Sequence, residues 1–157
     1  MYEEFKDILY YYRFIKQNKD GSIDISGKLY NDDSKEYFKY VLSENVIVNK
    51  LYGSFYCCRI NLKSLKGSPR IVTGWFNCSY NRLTSLEYCP KSITGEFWFN
   101  ANKITELIDW PKNILGFIYY ENNPIQRKLY PIELGNWSEI HNFLLQKKLK
   151  KIGAQLE

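Results

Sequence analysis

The sequence is short of the side chains on which most enzyme chemistry runs. Its 157 residues include one histidine, His141, one methionine, and four cysteines, Cys57, Cys58, Cys78 and Cys89. A single histidine excludes a histidine metal cluster, and any Ser-His-Asp triad would have to form around a residue of an expected terminal helix. The cysteines form no CxxC pair, and secreted disulfide frameworks normally pack more cysteines into a shorter chain, so free structural thiols are expected. No apolar run approaches the ~20 residues of a membrane span. The opening stretch Met1-Tyr2-Glu3-Glu4-Phe5-Lys6-Asp7 is charged and lacks an apolar core, so no secretory signal is expected. Gly21 to Gly27-Lys28 holds one residue too many for a phosphate loop, and Leu29 stands where Ser or Thr is required. Neither a catalytic residue nor a cofactor is expected.

What is present is aromatic. Tyrosine and phenylalanine number 14 and 9, and 45% of the chain is hydrophobic against 25% charged, which places it among globular proteins. A chain of this size buries roughly 68–70% of its unfolded surface, enough for one core without staples. The net charge of +5 is too small to imply a nucleic-acid partner by itself.

Self-similarity dominates the middle of the chain. Gly53, Gly74, Gly95 and Gly116 follow one another at 21 residues. Phe55/Phe76/Phe97/Ile118, Cys57/Cys78/Phe99/Tyr120 and Leu62/Leu83/Ile104/Ile125 keep the same period. So do Leu65/Leu86/Leu107, Pro69/Pro90/Pro111 and Asn81/Asn102/Asn123. Each column has a physical reading. Phe76 and Cys78 alternate along a short strand and point inward, while Trp75, Asn77 and Ser79 point outward. Leu83 and Leu86 carry the chain back over the core, Pro90 stops a helix, and Gly95 permits the turn into the next strand. The asparagines are expected inside, their amides bonded to backbone groups of neighbouring coils, because buried polar groups must be paired. Four units meet the three or so that such a stack needs.

A unit of this length and pattern resembles a leucine-rich repeat. The segment Asn81-Arg82-Leu83-Thr84-Ser85-Leu86-Glu87-Tyr88-Cys89-Pro90-Lys91-Ser92-Ile93-Thr94-Gly95-Glu96-Phe97 is similar to the repeats of small leucine-rich-repeat-like proteins of tailed bacteriophages. The stretch Asp20-Gly21-Ser22-Ile23-Asp24-Ile25-Ser26-Gly27 is similar to the segment that precedes the array in those proteins. The resemblance spans residues 19–125, with Ile60 in place of the first asparagine and Trp110 in place of the cysteine before Pro111. It implies a scaffold without a catalytic site, and a viral origin.

The ends of a solenoid must be capped. Phe5, Ile8, Leu9, Tyr12 and Ile15 predict an amphipathic helix over residues 2–16, and Ile23 and Ile25 predict a first strand. Asp33-Ser34 before Tyr37, Phe38, Val41 and Leu42 predicts a second helix, and Ser138 to Leu144 a C-terminal one. The expected fold is thus a single domain of α/β repeat class: a leucine-rich-repeat-like solenoid with parallel strands and helical caps. Residues 1–50 form the first cap, 51–125 the array and 126–157 the second cap.

Three outward columns follow from the register. They are Tyr56, Asn77, Trp98, Tyr119; then Ser54, Trp75, Glu96, Phe117; then Cys58, Ser79, Asn100, Glu121. Tyr56, Trp75, Trp98, Phe117 and Tyr119, with Tyr80 at the rim and Asn77, Glu96 and Glu121 among them, make a candidate partner-binding face, since Trp and Tyr dominate interface hot spots. Cross-coil stacking between aromatics, or a terminal helix folded over them, would account for the same residues. The expected function is therefore non-enzymatic protein binding. The phage resemblance implies a protein of the host cytoplasm that inhibits or redirects a host factor such as a defence component. A virion or assembly component using the same face is an alternative. So is a nucleic-acid binder using Arg70, Lys91, Lys112, Arg82, Lys103 and the lysine-rich tail. No membrane partner is expected.

Overall fold

A computed structural model of the chain describes residues 13–27 and 47–125. The 21-residue period is one coil of a parallel β-solenoid, and about four coils are stacked. Each full coil contributes two very short strands. The first series is β3 (Val48–Tyr52), β5 (Ile71–Val72), β7 (Ser92–Ile93) and β9 (Asn113–Ile114). The second is β4 (Phe55–Tyr56), β6 (Phe76–Asn77), β8 (Phe97–Trp98) and β10 (Ile118–Tyr119). The two series build separate parallel sheets, and equivalent residues pair in register: Phe55 with Phe76, Phe76 with Phe97, Phe97 with Ile118.

One strand per unit was readable from Phe76 and Cys78, whereas the first series is additional. Its signal is the column Leu51/Val72/Ile93/Ile114, also at the 21-residue spacing and buried throughout. A third ladder closes the coil without regular strands: the amides of Arg82, Lys103 and Ile125 donate to the carbonyls of Leu62, Leu83 and Ile104 at 2.8–2.9 Å.

The helix expected over residues 2–16 is corrected where it is described. Arg13–Gln17 is a strand, β1, antiparallel to β2 (Ile23–Ser26), which in turn runs parallel to β3. The reason is the open edge. β2 starts the first sheet and its outer backbone groups need a hydrogen-bonding partner, which a strand supplies and a helix cannot. Among the described residues there is no helix, so the array is all-β, not α/β. The rest of that expected helix, and the helices expected around Tyr37 and Phe143, lie outside the described residues.

The β1–β2 turn is tied to the array by side chains. Asp20 accepts from the Ser22 hydroxyl at 2.5 Å, from Arg70 at 2.9 Å and from the Ser22 amide at 3.1 Å, and these bonds hold its carboxyl down to about 2. Asp24 departs from the expected alternation. It is 2% exposed, because the β2–β3 register shifts at Ile23/Asp24 and its carboxylate is covered by Asn18, Asn49 and Lys16.

The interior is a set of vertical columns. Phe55 stacks on Phe76 with centroids 5.5 Å apart, and Phe76 meets Phe97 at 5.7 Å. Leu65, Leu83, Leu86 and Ile104 complete the core. Where Phe99 replaces the cysteine of earlier coils, Trp110 replaces Cys89, and their rings meet edge to face at 5.9 Å. The asparagine column does what its type demands. Asn102 Oδ1 accepts from the Leu83 amide at 3.0 Å, while Nδ2 donates to Cys78 O and Phe99 O, both at 3.0 Å. Asn81 and Asn123 repeat that set one coil on either side, each amide joining two coils.

Beyond Gly53, whose φ is 149°, the glycine column serves close approach, not a left-handed turn. Gly95 donates to Gly74 O at 2.9 Å, and a Cβ at Gly95 would stand 2.7 Å from the Gly74 carbonyl carbon and oxygen. The left-handed corner instead falls on Arg59, Tyr80, Ala101 and Asn122, with φ between 52° and 60°. Their conformation is held by the amide ladder, Tyr80 to Asn100 O at 3.0 Å and Ala101 to Glu121 O at 2.8 Å.

Two predictions follow from this packing. In urea titrations, Leu83→Ala or Leu86→Ala should cost about 2–5 kcal/mol, whereas the exposed Lys103→Ala should stay within about 0.5 kcal/mol of the parent. Gly95→Ala should cost at least about 1–3 kcal/mol by overpacking, while Ala101→Gly should cost little, since its backbone already favours glycine. Equal effects at Gly95 and Ala101 would contradict the assigned corners.

The cysteines give a third prediction. All four are free thiols, with Cys57, Cys78 and Cys89 buried and Cys58 half-buried. Burial pushes the thiols of Cys57, Cys78 and Cys89 up, away from the reactive thiolate. Brief alkylation of the native protein should therefore modify Cys58 alone, and alkylation in denaturant should modify all four. Rapid native labelling of Cys78 would place it outside the core.

Candidate binding face

The second sheet carries the predicted columns in the predicted register. Along each short strand the first residue is buried and the second half-buried: Phe55/Tyr56, Phe76/Asn77, Phe97/Trp98, Ile118/Tyr119. The pleat does this, turning successive side chains to opposite faces. In coils two to four the residue preceding the strand faces outward again, whereas Ser54, expected outward, is buried and its hydroxyl oxygen accepts from the Trp75 amide at 2.9 Å. Trp75 is 48% exposed and Phe117 63%, with Glu96 half-buried between them in the column.

Coils three and four bring the most together. Trp98 stacks on Tyr119 with centroids 3.8 Å apart and planes 24° from parallel. The Trp98 indole N–H donates to Glu96 Oε2 at 2.9 Å. Trp98 is therefore held by one ring and one carboxylate before any partner arrives. That bond joins residue i, just before β8, to residue i+2 within it, and in extended chain these share a face, so the neighbourhood was readable although the bond was not.

Coil two adds Trp75 and Asn77, and coil one adds Tyr56. Asn77 turns its carbonyl oxygen to Ser79, accepting from the amide at 3.0 Å and from the hydroxyl. Ser79 itself, expected to point outward, is buried by this bond at the corner, and so leaves the third column. Asn100 and Glu121 remain half-exposed there. Tyr80 stands at the rim, 51% exposed on the left-handed corner, with the Arg59 guanidinium 4.6 Å above its ring.

The basic column lies elsewhere. Arg70, Lys91 and Lys112 flank the first sheet on successive coils, linked by amide-to-carbonyl bonds of 2.8 Å from Lys91 to Arg70 and from Lys112 to Lys91. All three are exposed, and Arg70 pairs with Asp20 at 2.9 Å. Aromatic and basic columns thus occupy different sheets, and a ligand lying on one sheet does not engage both.

The first sheet also exposes apolar side chains that the repeat analysis did not single out, Tyr52 and Leu115 among them. They share the outward column Tyr52/Thr73/Thr94/Leu115, which becomes visible only once the first strand of each coil is recognised. Among the described residues, no group of three or more His, Cys, Asp or Glu side chains is placed to hold a metal. No helix among them is long and apolar enough to cross a membrane. Compared with known protein families, curated proteins and solved structures, the chain matches none.

Proposed function

We propose that the chain is a non-enzymatic protein-binding module whose aromatic sheet face docks a partner. One observation carries this reading. Trp75, Trp98, Phe117 and Tyr119 occupy neighbouring outward positions on consecutive coils of one rigid sheet, where large apolar side chains are uncommon unless used. A preorganised aromatic cluster binds at low entropic cost, since its rotamers are already fixed. The similarity of its coil to leucine-rich-repeat-like phage proteins supports a viral product that acts on a host factor, such as a component of defence. A virion component using the same face is the reading that detection in purified particles would favour.

The test is comparative. Tagged full-length chain, Trp98→Ala and the triple variant Arg70→Ala, Lys91→Ala, Lys112→Ala are each used to capture proteins from a bacterial lysate. A single protein recovered stoichiometrically by the parent should be retained by the triple variant and weakened by roughly 2 kcal/mol or more with Trp98→Ala, the scale of a hot spot. Thermal melts of all three should be close, because Trp98 points away from the core. Normal capture by Trp98→Ala together with salt-sensitive loss in the triple variant would replace the aromatic face with an electrostatic one.

A further inference from the structure

The column Ser54/Trp75/Glu96/Phe117 has the form of a slot. In-register pairing places Trp75 and Phe117 two coils apart, about 9–10 Å along the stack, with Glu96 between them. Trp75 leans over the coil that follows: its Cδ1 lies so close above Gly95 that a Cβ there would collide with it. The floor is held in place as well, because Glu96 Oε2 accepts the Trp98 indole N–H at 2.9 Å. Its other oxygen has no hydrogen-bond partner among the described residues.

Charge selects the occupant. A carboxylate flanked by two exposed aromatic side chains repels anions and is complementary to a cation, which an aromatic ring also attracts through its quadrupole. Planarity narrows the choice to guanidinium, which stacks on aromatic rings and pairs with a carboxylate through directed N–H bonds. The same face already holds one such contact, the Arg59 guanidinium over Tyr80. Glu121 adds a second negative charge one coil further, while Arg70, Lys91 and Lys112 stand off on the other sheet. We infer that the slot formed by Trp75, Glu96 and Phe117 receives an arginine side chain of the protein partner. This inference rests on the binding-face reading above and specifies its chemistry.

The probe is a blocked Gly-Ser-Arg-Ser-Gly peptide, titrated into the intact chain while the indole N–H resonances of Trp75 and Trp98 are followed by NMR. Saturable shifts of both indoles are expected, about tenfold weaker when citrulline, the neutral isostere, replaces arginine. Glu96→Gln should weaken the arginine peptide by a similar factor, and Phe117→Ala should weaken it while leaving the thermal midpoint near that of the parent, since that side chain is solvent-facing. Equal shifts from the arginine and citrulline peptides, or no shift at either indole, would overturn the slot. If the indoles stay unmoved while Trp98→Ala still loses the captured protein, the slot fails and the binding face stands. If Trp98→Ala captures normally, the face fails and the slot with it.

Discussion

Everything in this molecule depends on how closely one coil can lie on the next. Parallel ladders set the spacing near 4.8 Å, and any side chain between the coils would break it. The glycine column removes that obstacle at one corner, where Gly74, Gly95 and Gly116 would each drive a Cβ into the preceding coil's backbone. The asparagine column acts at the opposite side of the second sheet. Each amide accepts from one coil and donates to two, fastening backbone groups that the short strands leave unpaired. Strands of two residues hold little by themselves, and these two columns make them continuous.

Once the spacing is fixed, every position becomes a column, and chemistry accumulates by repetition. Phenylalanine rings pack inside with centroids 5.5–5.7 Å apart, and outside Trp98 and Tyr119 stack at 3.8 Å. Repetition also separates functions by sheet. Basic residues follow the prolines and line the first sheet, whereas aromatics and two glutamates occupy the second. A surface built in this way is stiff, because moving one outward side chain's backbone means shifting a coil bonded to two neighbours. Stiffness suits recognition by a preformed patch.

The period, most of the inward columns, the role of the asparagines and most of the outward register of the second sheet were legible, because each recurs three or four times in the sequence. What was missed has a physical pattern. After β3, the first strand of each coil is only two residues long, too short for alternation to show, although Leu51, Val72, Ile93 and Ile114 mark the series by period. β1 was read as a helix because apolar spacing within 2–16 fits a helix, and the demand of an open sheet edge is not visible in local sequence. The glycines were assigned a turn, yet the left-handed corner fell to Arg59, Tyr80 and Ala101, where cross-coil bonds override local preference. Ser79 went inward because Asn77 beside it offers an acceptor, a choice between two rotamers that spacing alone does not decide.

The central claim is that the asparagine column couples coils, and native-state hydrogen exchange on the parent and on Asn102→Ala tests it most directly. Removing one amide leaves the buried Leu83 N–H without its acceptor, at about 1–3 kcal/mol, and takes one of the two asparagine donors from each of Cys78 O and Phe99 O, which keep Asn81 and Asn123. The account predicts that protection falls together for Phe76, Cys78, Leu83, Phe97, Phe99 and Ile104, spanning coils two to four. Loss confined to the Leu83 amide, with its neighbours unchanged, would show that the coils are held independently and would contradict it.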